Sequence, residues 1–517
     1  MDAQVRPFRV VRAALEEAPS VLGGTTLSLR ASGDAVLEEP DASFCLDVST
    51  TKDGEFLLIN SNSKTTSEVR CLARGGREGD WRVLHAREPG VQCFAEHAAG
   101  QFWLVSNRGA PLGDYALFRA GDAPGAPWQR LSAPDCNVEE LDVLAGAGGR
   151  AVTFERSRVD GSQRVVVRDA LGATVAELRP AGGVTLHPVS NATAETARLR
   201  VRADSPALPD CVVALDLAAE PVVPRAQLDR EGAWHPAPRR QLPGLEVRRA
   251  VVRGVPVTLT FRPGIARDGR NPLLLQSYGA YGISLPAPFC PQAAALAQGG
   301  WVLAHAHLRG GLELGRRWYE EGRLLGKRNT FGDLAAVLEG LHAEGWSSPA
   351  LTAARSWSAG ALALAVLANE RPGLVRAMVL RAPFLNVLES MSDPALPLTA
   401  LEYPEWGDPR ADAQVRDYIA GYDPVLNVGK AQHKMPAMLI TCSQADQRVG
   451  FEGTCRYVDK LRALPEHTRP PAIVLRWSHN RSHFGTGDDA SPSQDLATEH
   501  AFLHQVLAQH GKETNRR

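Results

Sequence analysis

Residues 357–369 read WSAGALALAVLAN, a serine set between a short strand-like run and an uninterrupted apolar stretch with the character of a buried helix. A serine on a strand-to-helix bend needs small neighbours two residues away, because the two backbone segments pass closely there. Here those neighbours are Ser356 and Gly360, so one end of the G-x-S-x-G turn carries serine in place of glycine. A serine before a helix also fits an ordinary N-cap. Two other residues favour a nucleophile. Asp446 follows the apolar strand AMLITCS (437–443), 88 residues beyond Ser358, and His483 follows the next strand, AIVLRWS (472–478), 37 residues beyond Asp446. Serine, acid and histidine thus occur in the chain order that a nucleophile-elbow hydrolase requires. In that arrangement Ser358 attacks a carbonyl, His483 takes its proton and later gives it to the leaving group, and Asp446 holds the imidazole in the working tautomer. Each partner has an everyday alternative, Asp446 as a turn residue and His483 as a surface loop residue, and His479 is a rival base nearer the strand end. The backbone N–H of Ala359 is one oxyanion donor by construction of the bend, and a second has to come from elsewhere.

The surrounding chain fits that chemistry. From VRRAVVRGVPVTLTFRP (247–263) onward, apolar runs such as LLLQSY (273–278), WVLAHAHL (301–308) and AMVLRAP (377–383) alternate with helical patterns such as TFGDLAAVLEGLHAEG (330–345) and LATEHAFLHQVLAQH (496–510). Short, fully apolar strands between helices predict a mostly parallel, doubly wound sheet covered on both faces, an α/β-hydrolase fold. Residues 40–235 have a different grammar, with short runs such as FLLIN (56–60), FWLVSN (102–107), AVTFE (151–155) and CVVALDL (211–217) between Gly, Pro, Asp and Asn. They predict an all-β unit, a sandwich or a propeller whose blades take about 40 to 50 residues each. The stretch PAPRRQLP (236–243) marks the change, giving predicted domains 1–240 and 241–517. A length of 517 residues suits two cores.

Composition narrows the partners. With 57 Lys+Arg against 58 Asp+Glu there is no basic excess for nucleic acid. The N-terminal residues mix charges of both signs, unlike a signal peptide, and the apolar run at 359–368 is about half of what a membrane span needs. Eight cysteines without CxxC spacing read as reduced thiols rather than metal ligands. A cytoplasmic protein without metal or cofactor is expected.

Several stretches resemble the prolyl oligopeptidase family, across nearly the whole chain and most clearly from about Asn271 onward. LLLQSYGAYGIS (273–284) looks like the family loop that bears the second oxyanion donor, which implies the hydroxyl of Tyr278 in that role. HLRGGLELGRRWYEEGRLLGKRNTFGDL (307–334) is similar to the family's RGG-x-E-x-G segment, and 358–388 resembles its elbow helix and succeeding strand. LPLTALEYPEWGDP (396–409) and NSNSKTTSEV (60–69) resemble the branch that includes oligopeptidase B. The resemblance implies a seven-bladed propeller capping the active site, Arg448 as a ligand for a substrate carbonyl, and Glu402 as a specificity-pocket acid that favours a basic group. An exposed loop glutamate is the alternative for Glu402.

Residues 1–240 allow only four or five blades, so the cap is expected to be incomplete, as in a short isoform or incomplete gene model. The elbow continues Gly360-Ala361 where the family has two glycines, and the histidine loop reads SHFG (482–485) where its peptidases carry GHG. These departures would harm peptide hydrolysis first, and the resemblance implies activity on small esters and thioesters, including removal of acyl groups from cysteine, with short peptides second. The alternative function, also implied by the resemblance, is a non-catalytic scaffold that binds trafficking partners.

Overall fold

The computed structural model describes residues 7–20, 24–110, 113–123, 125–181, 183–189, 196–218, 244–483 and 491–514. The expected boundary at 236–243 and the Phe484-Gly485 part of the histidine loop lie outside them.

Alternation of apolar and polar residues in the first half produces antiparallel meanders in which consecutive strands pair. Three four-stranded sheets follow one another, Cys45–Thr50 through Arg82–His85, Cys93–Ala98 through Gln129–Arg130 and Cys136–Leu144 through Thr174–Leu178. A three-stranded sheet, Thr185–Pro188, Arg198–Ser205 and Leu208–Asp216, comes next, and a ribbon of Arg9–Ser20 with Gly24–Glu38 precedes them all. Neighbouring sheets share their cores. Phe56, Leu58 and Val69 of the first pack with Phe102 and Leu104 of the second, and Phe154 and Val165 of the third pack with Leu199 and Val201 of the fourth. Face-to-face burial between successive four-stranded sheets is how propeller blades stack.

After residue 244 the apolar strands assemble one eight-stranded sheet. Its order is Glu246–Val252, Val255–Phe261, Val302–Ala306, Leu273–Ser277, Thr352–Trp357, Ala377–Arg381, Ala437–Ser443, Ile473–Ser478. The first two strands are antiparallel to their neighbours and the rest run parallel. Helices cover both faces. On one, Leu334 and Leu338 of Arg328–Ala343 and Leu362 and Val366 of Ser358–Glu370 are fully buried; on the other, Leu296, Leu503 and Leu507 pack from Pro291–Gln298 and Pro492–Thr514. The crossover from Leu273–Ser277 outward to Val302–Ala306 and back to Thr352–Trp357 makes a switch in winding direction. Ligand sites in such sheets form at the carboxyl ends of the strands beside that switch.

Polar contacts join the halves. Asp114 accepts the Arg316 backbone N–H and pairs with Arg158, Arg249 Nη1 donates to the Gly161 carbonyl at 2.9 Å, and a cavity of about 790 Å³ lies between the two layers. Among the described residues no helix is long and apolar enough to cross a membrane.

Two histidines, His305 in strand Val302–Ala306 and His500 on helix Pro492–Thr514, are expected to make the fold acid-sensitive. Burial, aided by the charges of His307 and Arg355, pushes His305 down to about 3, and burial with Arg355, His504 and Arg381 pushes His500 down to about 4. Both are neutral when folded, whereas an unfolded histidine binds a proton below about 6.5. Their contribution is therefore complete above about 6.5 and is lost as pH falls toward about 4 for His500 and about 3 for His305, by up to about 1.4 kcal/mol per pH unit for each. Urea unfolding at pH 8, 6 and 5 should show stability falling only on the acid side, with a shallower fall in His305→Gln. Equal stability at pH 7 and pH 5 would contradict this.

Candidate active site

Ser358 begins the helix Ser358–Glu370 directly after strand Thr352–Trp357 and holds a φ of 50°, the left-handed region that a residue with a Cβ rarely occupies. Such strain persists only where its surroundings enforce it. Trp357 is the N-cap and makes no side-chain cap bond, so the cap reading of Ser358 gives way.

The small neighbours have separate reasons. A Cβ on Gly360 would stand 2.9 Å from the Tyr278 Cα and 2.6 Å from the Ser356 Oγ, so only glycine fits there. Ser356 is buried, and its hydroxyl donates to the Ser277 carbonyl at 2.6 Å, tying the bend to the adjacent strand. This bond is what serine contributes in the place of the usual glycine.

The sheet brings Ser358, His483 and Asp446 together from three strand ends. His483 Nε2 lies 3.0 Å from Ser358 Oγ, and its Nδ1 lies 2.7 Å from Asp446 Oδ2. The other oxygen, Oδ1, accepts the backbone N–H groups of Arg448 and Val449 at 2.9 and 3.0 Å. Burial alone would raise the Asp446 carboxyl. The bond from His483 and the two backbone donors together outweigh it, and the group is held below its ordinary value, charged toward the imidazole. His479 is elsewhere, exposed with Nδ1 3.2 Å from Gln444 Oε1.

Tyr278 follows strand Leu273–Ser277, and its hydroxyl is near enough to the Ser358 side chain to be influenced by it. Burial raises it most, against the opposing effect of Ser358, to about 12, so it remains a protonated donor at neutral pH. Its ring leans on Trp357 with centroids 5.3 Å apart. Ala359 is buried in the first helical turn, where its N–H has no intrahelical acceptor. Arg448 is exposed and close enough for its charge to act on Tyr278.

Glu402 corrects one expectation: it is no exposed loop residue but sits on helix Thr399–Trp406 at 8% exposure, and its charge reaches Tyr278. Pro404 within that helix obscured it in the sequence.

Sequence reasoning missed the support beneath the Tyr278 loop. Lys327 is buried, donates to the Gly279 carbonyl at 2.9 Å, and stands 3.5 Å from Glu405 Oε1, which itself is fully buried. Glu405 also accepts the Tyr281 backbone N–H at 3.0 Å and the Tyr319 hydroxyl at 2.8 Å. One buried ion pair therefore grips the loop at both Gly279 and Tyr281.

The fold defines a two-domain architecture, an α/β-hydrolase sheet beside a β-propeller domain. Residues 289–510 match the prolyl oligopeptidase family, and residues 28–227 match its N-terminal beta-propeller domain. The prolyl endopeptidase-like protein of Xenopus laevis is 30% identical over 91% of this chain and 67% of its own length. Its counterpart from Rattus norvegicus is 30% identical over 91% of this chain and 64% of its own. Oligopeptidase B from Leishmania major superposes with a TM-score of 0.82 at 25% identity, over 98% of this chain and 70% of that one. The chain belongs to the prolyl oligopeptidase family. It spans less than two thirds of the length of the rat relative.

Proposed function

We propose that this chain is a serine hydrolase working through an acyl-enzyme on small esters and thioesters, acyl groups on cysteine among them, and on short peptides. The observation that carries the reading is the pair of distances at His483, 3.0 Å to Ser358 Oγ and 2.7 Å to Asp446 Oδ2. With Asp446 accepting from Nδ1–H, Nε2 is left as the acceptor for the serine proton. Attack by Ser358 generates an oxyanion met by the Ala359 N–H and the Tyr278 hydroxyl, and the imidazolium then protonates the leaving group. Arg448 holds a second carbonyl of the substrate, and Glu402 supplies the pocket's acid. The propeller limits access by size. The eight cysteines are free thiols, which fits a reducing, cytoplasmic setting.

Peptidase-named relatives favour amide cleavage, whereas an ester or thioester asks less of the acid and oxyanion groups. A thioester, an ester and an anilide of one acyl group separate the two. The expected order is thioester and ester above anilide by about 100-fold or more in kcat/KM. An anilide cleaved as fast as the ester would move the assignment to a peptidase, and a folded chain that cleaves none would move it to a scaffold for trafficking partners.

A further inference from the structure

The segment NSNSKTTSEV forms the hairpin between Phe56–Asn62 and Ser67–Ala73. Ser63 closes its turn: the hydroxyl accepts the Thr65 and Thr66 backbone N–H groups at 3.3 and 3.0 Å, and the Ser63 N–H donates to the Thr66 carbonyl at 2.8 Å. Thr66 Oγ1 in turn accepts the Gly90 N–H at 3.0 Å, fixing the turn to the next strand connection. This turn carries Lys64 across to the hydrolase half, where its Nζ lies 3.8 Å from Glu402 Oε1 and 5.0 Å from the Tyr281 ring centroid.

The Glu402 side of the contact is built for a cation. Its carboxylate is largely buried and faces the Tyr281 hydroxyl as well as Lys64. The Tyr281 ring beside it is anchored by Trp406 Nε1–H, which donates to the Tyr281 hydroxyl at 3.2 Å. Glu402 also acts electrostatically on Tyr278. A buried carboxylate and an aromatic face make a cation site. Lys64 fills it loosely, because 3.8 Å is too long for a direct hydrogen bond and the lysine side chain stays 39% exposed.

We propose that Lys64 is the resident counter-ion of Glu402, and that this pair selects against substrates with a cationic group at the Glu402 pocket. The proposal rests on the hydrolase reading above. A substrate cation has to displace Lys64 or share one carboxylate with it, and the repulsion between the two cations disfavours exactly the group that Glu402 alone would attract. Neutral acyl groups meet no such opposition. Because the lysine comes from the propeller and the carboxylate from the hydrolase half, specificity is set across the domain interface.

The test is a pair of substrates that differ in charge and little else, the methyl esters of N-acetylarginine and N-acetylcitrulline. In the wild type the arginine-to-citrulline ratio of kcat/KM is expected at or below one. Lys64→Met should raise that ratio about five- to tenfold, Lys64→Arg should leave it near the wild-type value, and adding Glu402→Gln to Lys64→Met should cancel the gain. An unchanged ratio in Lys64→Met, or a gain that survives Glu402→Gln, overturns the proposal; the second result would mean that the lysine merely restricts access. If neither ester turns over in a folded wild type, the hydrolase reading fails separately. Calorimetric binding of argininamide and citrullinamide to the same variants then decides the Lys64 proposal, with a selective gain for argininamide in Lys64→Met supporting it and no gain overturning it.

Discussion

Ser358→Ala is expected to lower ester hydrolysis by about 10⁴-fold or more, and His483→Ala should lose nearly as much while His479→Ala stays within about threefold of wild type. The ordering follows from geometry. Only His483 bridges Ser358 and Asp446, whereas His479 contacts Gln444. Paired in this way the serine and histidine are expected to act as one unit, so Ser358→Ala/His483→Ala should be little worse than either single change. Steady-state rates on one ester, with folding checked by circular dichroism, measure this. Losses that multiply in the double variant would mean that the two residues act independently, and a deep loss in His479→Ala would reassign the base.

Glu405→Ala should destabilise the hydrolase half by about 3–5 kcal/mol, because it leaves the Lys327 ammonium buried without its counter-charge. Burial already pushes Lys327 down, and Glu405 is the group that opposes this. At roughly 2–4 °C per kcal/mol for a unit of this size, the melting transition should drop by about 10 °C. Removing both charges, as in Lys327→Met/Glu405→Gln, should restore part of the loss, since a neutral pair carries no stranded charge. The variant should also lose turnover, because the Tyr281 N–H and the Gly279 carbonyl are tied to this pair. A shift below about 2 °C, or a double change no better than Glu405→Ala, would show that the pair does not hold the loop.

The contrast between these two sites explains what the sequence discloses. Asp446 follows Ala437–Ser443, a strand that is legible because it is almost wholly buried and mostly apolar, whereas Thr352–Trp357 before Ser358 carries Thr, Arg and Ser and is read mainly from the apolar helix after it. The helix Ser358–Glu370 is equally plain, with every residue from Ala359 to Asn369 buried. Choosing His483 over His479 is a different matter, since both follow the same strand and only loop geometry separates them. Lys327 and Glu405 are 78 positions apart and look like surface residues, so their burial exists only in the folded chain. The helices Val387–Ser392, Thr399–Trp406 and Ala413–Tyr422 were equally hard to read, with Pro404 inside one of them and a mixed polar pattern throughout. Lys64 belongs to the same class. Its segment carries the family resemblance, but its contact with Glu402 depends on how the two halves face each other.

The most direct measurement is labelling of the purified chain with a fluorophosphonate, followed by mass spectrometry of the modified peptide. A single adduct on Ser358, lost in His483→Ala and kept in His479→Ala, is the expected result. A folded chain that takes up no label, or one labelled at another serine, would contradict the assignment of Ser358, His483 and Asp446 as a working nucleophile, base and orienting acid.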